Sequence, residues 1–173
     1  MTTSSSRIIE IQAKLSERAL ELLILPDDGV PRLLLDTGCG SGFSGKMLSE
    51  NRHQWIGLDI LESMLSVASM CDVDLLHEDM SQGLGLRPGV IEGANSISIV
   101  QWLCNVFFTS LYKYSVEGAR VVFQVYPENV TQHELILGFA MGVGFSGGVV
   151  VDYPRIVLRV EKNTLSSFVA HPH

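Results

Sequence analysis

A glycine-rich turn near residue 40 limits the folds that are open to this sequence. The segment Arg32–Leu35 is short and mainly apolar, which is typical of a buried strand. It ends in a run of alternating glycines, Asp36-Thr37-Gly38-Cys39-Gly40-Ser41-Gly42. Glycines after a strand allow the backbone to approach a ligand closely at the strand's carboxyl end. We therefore expect a strand, a ligand-binding turn and a helix in this order.

Hydrophobic periodicity predicts further strands and helices in alternation. The other predicted strands are Gln54–Leu58, Val73–Leu76, Asn95–Val100, Ala119–Tyr126, Val149–Asp152 and Ile156–Val160. The predicted helices are Ile8–Leu23 with candidate caps at Ser4 to Ser6, Ser44–Asn51, Ser63–Met70, Trp102–Tyr114 and Thr131–Met141. Such alternation places helices on both faces of a parallel sheet. The fold class predicted is α/β: a doubly wound, mainly parallel, seven-stranded Rossmann-like sheet with an antiparallel C-terminal hairpin, in a single domain over residues 1–173.

Composition excludes several classes of protein. The net charge is −7 and the 12 Lys and Arg residues are scattered, which argues against a free-standing nucleic-acid binder. The three cysteines have neither zinc-ligand nor disulfide spacing, so we expect no metal site. The charge-free stretch Gly93–Tyr112 is interrupted by polar residues, and we expect no membrane span. The N-terminus lacks a secretory signal pattern, so we expect an intracellular protein.

Two cofactors fit the glycine turn. Gly40, Gly42 and Gly45 satisfy the G-x-G-x-x-G pattern of dinucleotide sites, and Asp59 follows Gly40 by 19 residues, as a ribose-binding carboxylate does. Asp36, however, precedes the glycines, and a carboxylate there disfavours phosphates but favours the sulfonium and ammonium of S-adenosylmethionine. With Asp79 after the third strand, the predicted ligand site is acidic. These observations favour a methyltransferase over an NAD-dependent oxidoreductase, and a purely structural turn remains an alternative.

The sequence also restricts the substrate. No general base is evident, and no two prolines are adjacent, so the Pro-Pro loop used to methylate exocyclic amines is missing. A nucleophile with a free lone pair needs only alignment with the methyl group. Guanine N7 is such an atom.

Several segments together resemble one family, the eukaryotic 18S ribosomal RNA (guanine-N7) methyltransferases of class I. The segments are Leu35 to Gly42, Trp55 to Ile60, Ser63 to Leu65, Asp79-Met80, Gln82-Gly83, Ile97-Ser98, Gln101 to Asn105, Tyr126 to Asn129, Gly144 to Gly148 and Val150 to Pro154. The resemblance extends from about Ser6 to Pro154. The family's N-terminal segment, its insertion after Asn105, its lysine-rich stretch and its basic C-terminal tail are missing or shortened here.

The resemblance implies a set of site residues. The cofactor-binding residues that it implies are Asp36, Gly38, Gly40, Gly42, Asp59, Ile60, Asp79 and Met80. Among these, Asp59 would take the ribose hydroxyls, while Asp79 and Met80 would flank the adenine. Ser98 and Gln101 would face the methionine and the target base. Trp102 would stack on a splayed guanine, the alternative being a core aromatic at the start of a helix.

The resemblance further implies S-adenosylmethionine as cofactor, 18S rRNA in the pre-40S particle as substrate, and a nuclear, nucleolar and cytoplasmic location. It also implies a small zinc-binding activator subunit that adds a strand to the sheet. We expect this strand at Val73, Leu75 and Leu76, because the third strand usually lies at a sheet edge. A non-catalytic ribosome assembly factor is the alternative to an active enzyme.

Overall fold

The computed structural model describes residues 4–40, 42–59, 74–76, 85–97, 105–125, 130–152 and 155–162. The helices in these ranges are α1 (Ser4–Leu23), α2 (Phe43–Glu50), α3 (Asn105–Tyr114) and α4 (Val130–Gly142). The strands are β1 (Leu33–Thr37), β2 (Gln54–Leu58), β3 (Asp74–Leu76), β4 (Ile91–Ile97), β5 (Ser115–Val125), β6 (Phe145–Asp152) and β7 (Arg155–Lys162). In these ranges no helix is long and apolar enough to cross a membrane.

The strands form one seven-stranded sheet in the order β3-β2-β1-β4-β5-β7-β6. The pairs from β3 to β5 are all parallel, whereas β7 pairs antiparallel with both β5 and β6. The predicted doubly wound sheet and its antiparallel hairpin are therefore confirmed. The chain runs outward from β1 to β2 and β3, and then crosses to β4 on the other side of β1. This reversal produces a crevice at the carboxyl ends of β1 and β4, where ligands bind in sheets of this kind.

Alternate residues of the central strands pack on opposite faces of the sheet. On one face, Leu35 and Phe123 lie in a core with α3 and α4, where the rings of Phe107, Phe108 and Phe123 contact edge to face at centroid distances of 5.3 to 6.2 Å. On the other face, Leu34 and Val122 pack with α1 and α2. Both faces of the sheet are thus covered, and β1 and β5 are held in place from both sides.

Several element boundaries differ from the sequence prediction, among them the start of β5, which lies at Ser115 rather than Ala119. β4 begins at Ile91 rather than Asn95, and β6 begins at Phe145 rather than Val149, so that the glycines at 147 and 148 are part of a strand. Gly147 suits this strand because a Cβ atom there would lie 2.1 Å from the carbonyl oxygen of Arg159. α1 begins at Ser4, so the serines expected as caps lie in its first turn. The predicted helix at 63–70 and the hairpin turn at Tyr153-Pro154 lie outside the described residues.

Candidate functional site

The glycine turn forms a compact loop between β1 and α2. Gly38, Gly40 and Gly42 have φ angles of 71°, 52° and 82°, a region that glycine enters at little cost. The N–H groups of Gly38 and Cys39 donate to the carbonyl of Leu58 over 2.6 and 3.0 Å. The loop is thereby tied to the carboxyl end of β2.

Asp59, the residue after β2, holds the same loop through its side chain. Its Oδ2 accepts a hydrogen bond from the Gly40 N–H at 2.9 Å, and the residue is only 5% exposed. Gly40 and Asp59 are 19 residues apart in the sequence and are in direct contact in the structure. This contact places a carboxylate beside the glycine backbone, as the spacing predicts.

Asp36 lies beneath the loop and has no exposed surface. Its carboxylate accepts hydrogen bonds from the hydroxyl of Ser44, from Nδ2 of Asn95 at 3.1 Å and from the Gly45 N–H. Burial raises the pKa of Asp36 to about 6, and the nearby Asp59 carboxylate adds to the increase, which the hydrogen bonds partly oppose. Asp36 thus joins β1, β4 and the start of α2 through a single buried group.

Gly45 explains how α2 packs closely against the sheet. A Cβ atom on this residue would lie 2.0 Å from the indole ring of Trp55, on β2. The same indole donates from Nε1 to the hydroxyl of Ser49 at 2.9 Å. The third glycine of the G-x-G-x-x-G pattern therefore serves helix packing, which brings the amino end of α2 to the loop.

A cleft of about 370 Å³ opens above the loop, between it and the N-terminal half of α1. It is lined by Ile8, Ile11, Gln12, Leu15 and Ser16 of α1, by Gly38, Cys39 and Gly40, by Phe43 and Ser44 of α2, and by Ile97 of β4. No Lys or Arg is among these lining residues. The cleft lies at the crevice between β1 and β4, where the strand order reverses.

The structure brings together five of the residues that the sequence singles out: Asp36, Gly38, Gly40, Gly42 and Asp59. Six others lie outside the described residues, namely Ile60, Asp79, Met80, Ser98, Gln101 and Trp102. In the part of the chain that is described, no three His, Cys, Asp or Glu side chains are grouped to hold a metal ion. The described residues therefore include five of the eight predicted cofactor-binding residues and none of the three predicted catalytic residues.

Sequence reasoning missed Asn95, Ser44 and the residues of α1. Asn95 is 2% exposed and bonds to Asp36 across neighbouring strands, in the register that pairs these two residues. A buried amide within an apolar strand is the signal that points to Asn95. Ser44 lies eight residues after Asp36 and carries no such signal, since a serine at a helix start is ordinary.

Several solved structures with similar folds are methyltransferases. Phosphoethanolamine N-methyltransferase 2 of Haemonchus contortus, solved with S-adenosyl-L-methionine, matches with a TM-score of 0.75 at 14% identity, over 87% of this chain and 53% of that one. Magnesium protoporphyrin IX methyltransferase of Synechocystis, solved with the same molecule, matches with a TM-score of 0.70 at 17% identity, over 94% and 86%. At these identities the comparison establishes the fold. The fold is that of the class I methyltransferases.

Curated sequences specify the resemblance further. The chain is 65% identical to the 18S rRNA (guanine-N(7))-methyltransferase of Arabidopsis thaliana, over 88% of this chain and 58% of that protein. It is 53% identical to the Mus musculus enzyme of the same name, over 87% and 59%, and 44% identical to the Saccharomyces cerevisiae 18S rRNA (guanine(1575)-N(7))-methyltransferase, over 88% and 60%. No protein-family profile matches the chain. The resemblance is thus confirmed: the chain is a homologue of the 18S rRNA (guanine-N7) methyltransferases and spans about three-fifths of their length.

Proposed function

We propose that this chain is the catalytic domain of an S-adenosylmethionine-dependent methyltransferase that modifies N7 of a guanine in small-subunit ribosomal RNA. The observation that carries the proposal is the contact between the Gly40 N–H and the Asp59 carboxylate at the carboxyl ends of β1 and β2, beside the strand-order reversal. The identity of 65% to an enzyme named for this reaction supports the substrate class.

The cleft suits S-adenosylmethionine in size and charge. Its volume of about 370 Å³ is within the range of small-molecule pockets, about 300 to 1,000 Å³. Two carboxylates, those of Asp36 and Asp59, lie in or beneath the loop that forms its floor, and the lining residues include no cation. The cofactor supplies an electrophilic methyl group on a sulfonium. A negative floor favours that positive charge.

In this proposal each floor residue has a defined task. Gly38, Gly40 and Gly42 present backbone to the cofactor without side chains in the way. Asp59, which is fixed beside Gly40, accepts the ribose hydroxyls through its carboxylate. Asp36 acts through its charge, because its oxygens are occupied by Ser44, Asn95 and Gly45. Ile60, Asp79 and Met80 complete the adenosine side.

The target base would be handled by residues after β4. We assign Ser98 and Gln101 to the reacting ends of methionine and guanine, and Trp102 to stacking on the extruded base. Guanine N7 carries a free lone pair at neutral pH, so alignment is the contribution required from the protein.

The edge position of β3 supports an activator subunit. Among the described residues, the three-residue strand β3 pairs with β2 alone, and a strand at a sheet edge can pair with a strand of another chain. We propose a one-to-one heterodimer with a small zinc-binding activator whose strand docks at Leu75 and Leu76, next to Val73. Nuclear, nucleolar and cytoplasmic locations fit a pre-40S substrate.

The Leu75→Pro variant should bind the activator more weakly, and amide exchange at 74–76 should slow in the complex. Unchanged exchange would refute docking at this edge.

Two measurements test the proposed reaction. Calorimetry should detect binding of S-adenosylmethionine and none of NAD; the reverse result would indicate an oxidoreductase. Methyl transfer to small-subunit rRNA, measured with and without the activator, should depend on intact Asp59. Cofactor binding without any transfer to rRNA would support the non-catalytic assembly factor instead.

A further inference from the structure

α1 forms one wall of the cleft, and the polarity of this wall is uneven. Ile8, Ile11 and Leu15 present aliphatic side chains to the cleft. Ser16 donates its hydroxyl proton to the backbone carbonyl of Gln12 at 2.9 Å. Gln12 also lines the cleft, and among the described residues its side-chain amide makes no hydrogen bond. Gln12 is therefore the residue of this wall whose side-chain donor is still available.

The position of Asp59 defines which part of a bound cofactor would meet α1. Asp59 follows β2, and it adjoins the cleft at Gly40. Ile97 of β4 and the α1 residues lie on the other side of β1. If the ribose sits at Asp59, one end of the molecule extends toward β3 and the other toward α1. Because Asp79 and Met80, the residues proposed for the adenosine, follow β3 in the sequence, the amino-acid end would be the one that passes over Gly38 and Gly40.

Charge orients this amino-acid end. Its ammonium group is attracted to the glycine loop, because the negatively charged carboxylate of Asp36 is buried beneath that loop. This carboxylate accepts a hydrogen bond from Ser44. The carboxylate of the amino-acid end is repelled by Asp36 and needs hydrogen-bond donors away from the floor. Among the described residues that line the cleft there is no Lys or Arg, and Gln12 is the one that carries a side-chain amide able to donate.

Gln12 also stands on a fixed part of α1. The carbonyl of Leu15, three residues further along, accepts a hydrogen bond from Nε2 of Gln124 at 2.7 Å. Leu15 and Ala19 are 4% and 1% exposed and anchor the helix to the core. The backbone that carries Gln12 is therefore held in place, while its side chain is exposed and can turn toward a ligand in the cleft.

We propose that the Gln12 carboxamide binds the α-carboxylate of the amino-acid moiety of S-adenosylmethionine. This assignment rests on the proposed function, and it adds a cofactor-binding residue on α1 that distinguishes the full cofactor from its truncated nucleoside. A hydrogen bond to a charged group typically changes affinity by at least about tenfold.

Calorimetry of the full chain with two ligands tests this proposal. S-adenosylhomocysteine carries the amino acid, whereas 5′-methylthioadenosine lacks it. The Gln12→Ala variant should bind S-adenosylhomocysteine at least about tenfold more weakly and 5′-methylthioadenosine with unchanged affinity. Gln12→Glu should lose more, because its charge repels the carboxylate. Glu17→Ala, an exposed position on another face of α1, is the matched control and should bind both ligands like the wild type.

Each other result has a distinct meaning. Equal weakening of both ligands by Gln12→Ala would show that α1 has shifted, and would overturn the assignment. Unchanged binding of S-adenosylhomocysteine would overturn it directly, and tighter binding by Gln12→Glu would place the ammonium at this position instead. If the wild type binds neither ligand, the proposed function itself fails. Circular dichroism confirms that each variant is folded, which is expected since alanine favours helices.

Discussion

Replacement of Asp36 by asparagine should make the protein more stable at neutral pH. The pKa of Asp36 rises from 3.8 to about 6 on folding, chiefly because the carboxyl group is buried. A group that holds its proton more tightly in the folded state stabilises the fold fully below pH 3.8, and that stability is lost as the pH rises through 6. A shift of about two units corresponds to about 3 kcal/mol at pH 7.

The Asp36→Asn variant avoids this loss but gives up one accepting oxygen. Ser44, Asn95 and the Gly45 N–H all donate to the carboxylate, and an amide leaves one of these donors without its acceptor. That costs about 1 to 1.5 kcal/mol. Above about pH 5, the wild type loses more free energy of unfolding through ionisation of Asp36 than the variant loses through its missing acceptor. The variant should therefore be more stable than the wild type by about 1.5 to 2 kcal/mol at pH 7. At pH 4.5 the two proteins should be about equally stable.

Urea unfolding at a series of pH values between 4.5 and 7.5 measures this difference. Asp28→Asn is the control, because hydrogen bonds from the Val30 N–H and from Arg32 lower the pKa of that exposed carboxyl group and give its stability the opposite pH dependence. A variant that is less stable than the wild type by the same amount at every pH would refute the argument, since it would mean that the buried carboxylate is ionised without penalty. Weaker binding of S-adenosylmethionine should accompany the gain in stability.

Further predictions concern close packing, the cofactor and pH. Gly45→Ala should lower the free energy of unfolding by about 1 to 3 kcal/mol, because its Cβ atom would lie 2.0 Å from Trp55, whereas Gly138→Ala on α4, with no atom within 4 Å, should be neutral or stabilising in the same urea assay. Asp59→Ala should reduce the affinity for S-adenosylmethionine by about 1.5 to 3 kcal/mol in calorimetry; unchanged affinity in a folded variant would remove Asp59 from the site. The single-turnover methyl-transfer rate should change little between about pH 6.5 and 8.5, because guanine N7 needs no deprotonation; a log-linear increase with pH would indicate another nucleophile.

Local patterns were sufficient to predict most of the sheet. β1 and β2 are short apolar runs bounded by glycine or aspartate, and the alternation with helices fixed their parallel pairing. The sequence prediction placed the start of β4 at Asn95 instead of Ile91, because Glu92 and Gly93 interrupt the apolar pattern of this strand. The carboxylate of Glu92 accepts from the Leu33 N–H at 2.9 Å, 59 residues away in sequence. A strand that depends on such a distant contact carries no local signal.

The site was predictable where spacing reflects topology. Gly40 and Asp59 end neighbouring parallel strands, so their separation along the chain is characteristic of the fold. The contacts of Asp36 with Asn95 and Ser44 depend on strand register and on the direction of α2, which no short motif encodes. For the same reason, the sequence pattern of α1 predicted an amphipathic helix but not the cleft beside it.

The attachment of α1 has a consequence for the order of folding. The side chain of Gln124 donates a hydrogen bond to the carbonyl of Leu15, 109 residues earlier in the sequence. Arg120 donates one to the carbonyl of Ile24, 96 residues earlier. Loops of this length close slowly, because their ends must find each other before any contact is gained. During synthesis, α1 therefore makes these contacts only after β5 has left the ribosome. Until that moment α1 lacks its contacts with β5, so we expect a nascent chain to complete this wall of its ligand pocket late.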